Sequence, residues 1–159
     1  MMDLILWRHA EAEDERDGLS DLERKLTHRG EKQAARMAAW LDRQLPEGLR
    51  VMSSPAVRTE QTALALGRKY KLRDELSPDG SCEDLLSVVQ WPHARGAVLV
   101  VGHQPVLGQT IAQLVGLQQS DCSVRKGAIW WLRRRQRQRD GTEPTEQTVI
   151  VTVQTPEFL

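Results

Sequence analysis

Apolar positions fall into short runs separated by polar stretches, and the spacing inside each run predicts its element. Asp3–Trp7 is an almost continuous apolar run that stops at Arg8-His9, as a buried strand does. Glu11–Leu22 is acidic, carries Gly18 and reads as a loop. Thr27 can cap a helix running to about Leu45, with Ala34, Ala35, Met37, Ala38, Trp40 and Leu41 at broadly helical spacing. Pro46-Glu47-Gly48 ends that helix, and Leu49–Met52 is a second short strand. Ser53-Ser54-Pro55 has the form of an N-cap followed by proline at the first helical position, which predicts a helix to about Tyr70. Residues 71–81 contain Pro78 and Gly80 and read as a loop, with a short helix over Glu83–Trp91 behind it. Ala97–Val101 is the clearest buried strand; Gly102-His103-Gln104-Pro105 breaks it and starts a helix ending near Gly116. Gly127–Leu132 and Thr148–Val153 are β-rich and flank a charged stretch, Arg133–Glu146, so a hairpin with a long solvated tip is expected.

Strands alternating with helices imply an α/β protein whose mostly parallel sheet has helices on both faces, with the last hairpin as an antiparallel C-terminal edge. Trp130 and Trp131 adjoin on a predicted strand, so their side chains point to opposite faces, and both faces should be covered. A chain of 159 residues corresponds to one domain, residues 1–159, large enough to bury a core without disulfide or zinc. Cys82 and Cys122 stand alone and read as free thiols of a reducing compartment. The apolar start is too short for a signal segment, and no stretch approaches the ~20 residues that span a bilayer, so a cytoplasmic, membrane-free protein is expected. Lys and Arg number 22 against 22 Asp and Glu; with no net field, an anionic partner must be held by a local cationic site.

Such a site is visible. Arg8-His9 follows the first strand, Ser53-Ser54-Pro55-Ala56-Val57-Arg58 the second, and Gly102-His103 the third long one. If these strands are parallel, all three clusters emerge at one carboxyl edge, where open α/β sheets bind ligands. Two arginines and two histidines would then share a pocket suited to phosphoryl transfer, since guanidinium forks match phosphate oxygens. His9 fits a nucleophile: nearby positive charge keeps its imidazole neutral, provided its other ring nitrogen is hydrogen-bonded. His103 would donate to non-bridging oxygens or serve as a second cationic arm. His28 and His93 lack this context and read as surface residues, and no histidine or carboxylate set has metal-site spacing, so neither metal nor cofactor is expected.

These clusters, in this order, resemble the histidine phosphatase superfamily. The likeness rests on Trp7-Arg8-His9-Ala10, Leu26-Thr27-His28-Arg29-Gly30, Ser53-Ser54-Pro55-Ala56-Val57-Arg58-Thr59-Glu60-Gln61-Thr62 and Gly102-His103-Gln104-Pro105, and it runs along essentially the whole chain. Within the superfamily the chain is most similar to the small SixA-type phosphohistidine phosphatases. The resemblance implies a three-layer α/β/α, phosphoglycerate mutase-like fold, with His9 as the phosphorylated nucleophile and Arg8, Arg58 and His103 as the phosphate pocket. Ala10 stands where the superfamily usually has glycine; alanine is tolerable if φ there is negative. Glu83 and Glu11 are the two candidates for a general acid.

The expected function is removal of phosphate from phosphohistidine on a phosphotransfer or signalling protein, by a monomer, through phospho-His9. A phosphoramidate's leaving imidazole can be protonated by solvent on its far nitrogen, so it needs a protein acid less than a phosphomonoester does. The alternatives are a phosphatase or mutase of a small phosphomonoester and an idle module that binds a phosphorylated partner. The arginines of 133–139 could follow a nucleic-acid backbone, but no aromatic residue interleaves them, and no nucleic-acid partner is expected.

Overall fold

The computed structural model describes residues 1–159. Ten principal elements follow along the chain: β1 (Met2–Arg8), α1 (His28–Gln44), β2 (Arg50–Ser53), α2 (Val57–Leu64), β3 (Lys71–Leu72), α3 (Cys82–Val88), β4 (Gly96–Gly102), α4 (Val106–Val115), β5 (Ile129–Arg137) and β6 (Thr145–Gln154). The strands form one six-stranded sheet in the order β3-β2-β4-β1-β5-β6. The first four are mutually parallel, β5 runs antiparallel to β1, and β6 antiparallel to β5.

Alternation along the strands divides the core. Leu4, Leu6, Val98 and Val100 pack with Leu85 of α3 and with Leu107 and Ile111 of α4. Ile5, Trp7, Leu99 and Val101 face the other way, onto Met37 and Leu41 of α1 and Ala63 of α2. Central strands buried on both faces need apolar side chains at every position, which is why the first and third long strands are continuous runs in the sequence. Trp130 joins the α3–α4 side and Trp131 the α1–α2 side, as their adjacency requires. The expected α/β/α layering and antiparallel edge are therefore present. No helix is long and apolar enough to cross a membrane.

Thr27 caps α1 as expected, its Oγ1 accepting the Gly30 N–H at 3.0 Å. Three expectations need correction. First, α2 begins at Val57 with Ala56 at its N-cap and no side-chain cap. The helix also ends at Leu64: its last turn tightens, the Leu66 N–H binding the Ala63 carbonyl, and Gly67 turns left-handed at φ +72°. Second, the supposed loop 71–81 contains β3, two exposed residues with no pattern of their own that extend because β2 pairs with them. Third, the arginine run is mostly strand. Pairing persists out to Arg137 and Thr145, leaving only residues 138–144 as the tip. Arg133 Nε and Nη2 donate to the Asp3 carboxylate at 2.8 and 2.9 Å, and Arg134 binds Glu146. Cross-strand ion pairs hold these arginines on the sheet.

Candidate active site

The sheet register brings the chemistry together. In the parallel pair β1–β4, Arg8 lies opposite Gly102, so His9 and His103 leave the sheet side by side. Their ring centroids are 5.3 Å apart, close to the ~4.8 Å spacing of adjacent strands. β2 flanks β4 on its other side, with Ser53 opposite Val101, so Ser54 arrives at the same edge. Both histidines, Ser54 and Arg58 are buried, and Arg8 is half-buried.

His9 is held on both sides of its backbone: its N–H binds the Gly102 carbonyl and its own carbonyl accepts from Gly127. The ring Nδ1 lies 2.7 Å from the Ala10 carbonyl. A carbonyl only accepts, so Nδ1 carries the proton and Nε2 is left with a free lone pair. Burial, more than the neighbouring Arg58, Arg8 and Arg24, pushes the His9 pKa down to about 4, and the Ala10 carbonyl only partly offsets it. The imidazole is thus neutral at physiological pH, but its desolvation outweighs the arginine charges that sequence reasoning invoked. Ala10 has no positive φ and donates its N–H to Thr62 Oγ1 at 3.2 Å, so alanine is accommodated at this turn.

His103 is also neutral, its pKa pushed down to about 3 chiefly by burial, then by His9 and Arg58. Its Nε2 lies 2.8 Å from Ser54 Oγ, which already accepts the Ala56 N–H at 3.2 Å. With the Ala56 N–H on one lone pair, the Ser54 hydroxyl still has its proton to donate to His103 Nε2; in that arrangement the ring proton sits on Nδ1, a buried atom with no partner. In that tautomer the His103 Nδ1–H is a donor without an acceptor.

The two arginines are aimed differently. Arg8 Nη1 donates to the Val124 carbonyl at 2.8 Å. Arg58 donates from Nη1 to the Asp21 carbonyl and from Nη2 to its carboxylate, at 2.7 and 3.0 Å. The Nε of each is buried and unpartnered. Asp21 also receives Arg24 Nε at 2.9 Å. Burial alone would raise the Asp21 carboxyl; hydrogen bonds from Arg24 and Arg58 reverse this and hold it below the usual carboxylate range.

Asp21, Arg24 and Ser54, whose hydroxyl meets His103, escaped sequence reasoning. The first two lie in and just beyond the acidic loop, where no periodicity marks a position, and Ser54 in Ser53-Ser54-Pro55 has the form of a cap. The acid candidates fare unequally. Glu11, two residues from His9, has one buried carboxylate oxygen without a hydrogen bond, 3.8 Å from Arg29 Nε. Glu83 is exposed in the first turn of α3, and its side chain makes no hydrogen bond or ion pair with the four site residues. His28 and His93 are exposed, as expected.

Residues 4–79 match the histidine phosphatase superfamily (branch 1). The phosphohistidine phosphatase SixA of Escherichia coli is 34% identical over 121 residues, covering 71% of this chain and 74% of that protein. A SixA homolog from Haemophilus influenzae is 30% identical over 130 residues, 72% of this chain and 78% of the relative. Among solved structures, a protein histidine phosphatase SixA complexed with tungstate superposes with a TM-score of 0.79 at 25% identity, over 98% of both chains. A phosphoserine phosphatase of Entamoeba histolytica shares the fold, with a TM-score of 0.69 at 16% identity over 100% of both chains.

Proposed function

The chain belongs to the histidine phosphatase superfamily, and from that premise we propose that it hydrolyses phosphohistidine on a protein by way of a phosphorylated His9. The observation that carries this reading is the Nδ1 contact with the Ala10 carbonyl, which leaves a neutral, desolvated Nε2 beside two guanidinium groups. Nε2 attacks phosphorus as the P–N bond to the substrate imidazole breaks, and that imidazole takes a proton from solvent on its way out. Arg8, Arg58 and the His103 Nδ1–H stabilise the charge on the non-bridging oxygens, a task of positioning and electrostatics. Water then attacks phospho-His9, releasing inorganic phosphate and restoring the imidazole. The unpartnered Nε atoms of both arginines and Nδ1 of His103 supply donors for a tetrahedral oxyanion, and a SixA relative takes up tungstate.

A phosphohistidine substrate is favoured over a phosphomonoester by chemistry. No carboxylate hydrogen-bonds to His9 or His103, and P–N cleavage is the reaction that tolerates this. The test is rapid-quench mass spectrometry during turnover of a phosphohistidine protein, alongside free phosphohistidine and several sugar phosphates. An acid-labile, alkali-stable adduct on His9, absent in His9→Ala, is expected, with the protein substrate turned over fastest. Phosphate on no histidine would sink the covalent step. Faster turnover of sugar phosphates would replace the substrate class.

A further inference from the structure

Along the edge of the sheet furthest from β6 runs an open groove of about 580 Å³ whose chemistry the site does not use. Five cations line it, Arg50, Arg68, Lys69, Lys71 and Arg73, and no carboxylate does. In a chain of zero net charge, that is a strong local excess of positive potential. Arg68 is paired with Asp42 and Arg73 with Glu75, whereas Arg50, Lys69 and Lys71 are exposed and form no ion pair. Between the cations, Leu49, Val51 and Met52 give the groove an apolar floor. β3 pairs only with β2, so its outer side is an unpaired strand edge.

We propose that this groove docks an acidic, extended segment of the phosphorylated protein partner; the proposal rests on the reading of a protein substrate. The geometry suits that role. Leu72 lies opposite Ser53, and the Arg73 N–H binds the Ser53 carbonyl, one residue from the hydroxyl that contacts His103. β1 is three strand positions from β3, so the groove starts roughly 14 Å from His9 at ~4.8 Å per strand. A partner presenting phosphohistidine to His9 can reach that far along its own surface. Lysine and arginine on a strand edge, over an apolar floor, match carboxylates interspersed with aliphatic side chains in an extended segment. A nucleic acid fits less well: only Tyr70 offers an aromatic ring, and its hydroxyl is tied to Glu60. The charges would act mainly on encounter and on KM, not on the chemical step.

The experiment compares the wild type with Lys69→Glu/Lys71→Glu and Lys69→Ala/Lys71→Ala. Binding of a fluorescein-labelled, glutamate- and leucine-containing peptide is followed by anisotropy, against a single-stranded oligonucleotide of equal charge. Turnover is followed on a phosphohistidine protein and on free phosphohistidine. Peptide binding should weaken about tenfold in the charge-reversed variant and less in the alanine variant. KM for the protein should rise to match, with kcat and turnover of free phosphohistidine unchanged. Equal peptide binding by all three proteins, or an oligonucleotide bound more tightly than the peptide, overturns the docking surface. If the wild type turns over sugar phosphates but no phosphohistidine protein while peptide binding still depends on the lysines, the substrate reading has failed and the groove has not.

Discussion

Burying two neutral imidazoles at one sheet edge has a consequence for stability as well as for chemistry. An unfolded histidine takes up a proton near pH 6.5, while His9 resists until about pH 4 and His103 until about pH 3. Between those values the unfolded chain binds more protons, so stability is fully present above pH 6.5 and is lost as pH falls towards 4. Each histidine should cost up to about 1.4 kcal/mol per pH unit in that window. Denaturant titrations from pH 7 to 4 should show this slope in the wild type and a shallower one in His9→Gln; parallel curves would contradict the burial argument. Ser54 permits a sharper test. Ser54→Ala removes the donor to His103 Nε2 and should lower kcat about tenfold or more with little change in KM. It should also shift the ¹⁵N pattern of His103 away from the Nδ1–H tautomer. Loss of the Ala56 partner alone would cost about 1–3 kcal/mol of stability but leave that pattern untouched. An unchanged tautomer together with unchanged kcat would reduce Ser54 to a structural residue.

At the scale of the element, the amino end of α1 shows why a motif without reactive groups sits beside the one that carries His9. A Cβ on Gly30 would lie 1.9 Å from the Glu11 carbonyl oxygen, a backbone atom that cannot step aside. The same carbonyl accepts the Thr27 N–H, so the helix start is pressed against the segment that follows His9. Thr27 caps the helix, Gly30 allows the approach, and Gln33 Oε1 receives the Glu11 N–H at 3.0 Å. α1 is thus a strut for the loop that carries His9, the proposed nucleophile. Gly30→Ala should destabilise by about 2–3 kcal/mol through overpacking, and it should also lower kcat because the displaced loop carries His9. Denaturation and steady-state kinetics on the same preparation test both. A variant that loses stability but keeps full kcat would show that the strut does not hold the catalytic geometry.

For the whole molecule, three buried donors at one edge predict linkage between oxyanion binding and folding. Tungstate or phosphate at about 100 times its Kd should add about 2.7 kcal/mol to stability, raising Tm by roughly 5–10 °C for a chain of this size. The increase should vanish in Arg58→Ala and persist in Glu83→Gln; an equal shift in Arg58→Ala would place the anion elsewhere. Much of this molecule was legible in the sequence. Strands buried on both faces, the Thr27 cap and the clusters after three strands are local patterns, and a local pattern reports the environment of its own residues. Arg8, His9, Arg58 and His103 are legible as a group because they follow strand ends that reach one edge once the strands are parallel. Other features came only from long-range pairing. β3 is a strand because β2 lends it hydrogen bonds, and the arginines of β5 extend the sheet because Asp3 and Glu146 meet them across strands. Asp21 reaches Arg58 across 37 positions, and Ser54 meets His103 across 49. The sequence by itself determined which residue types stand at the strand ends. Only the tertiary structure decided their protonation, tautomer and aim, because desolvation and hydrogen-bond partners belong to the packed neighbourhood and not to the chain order.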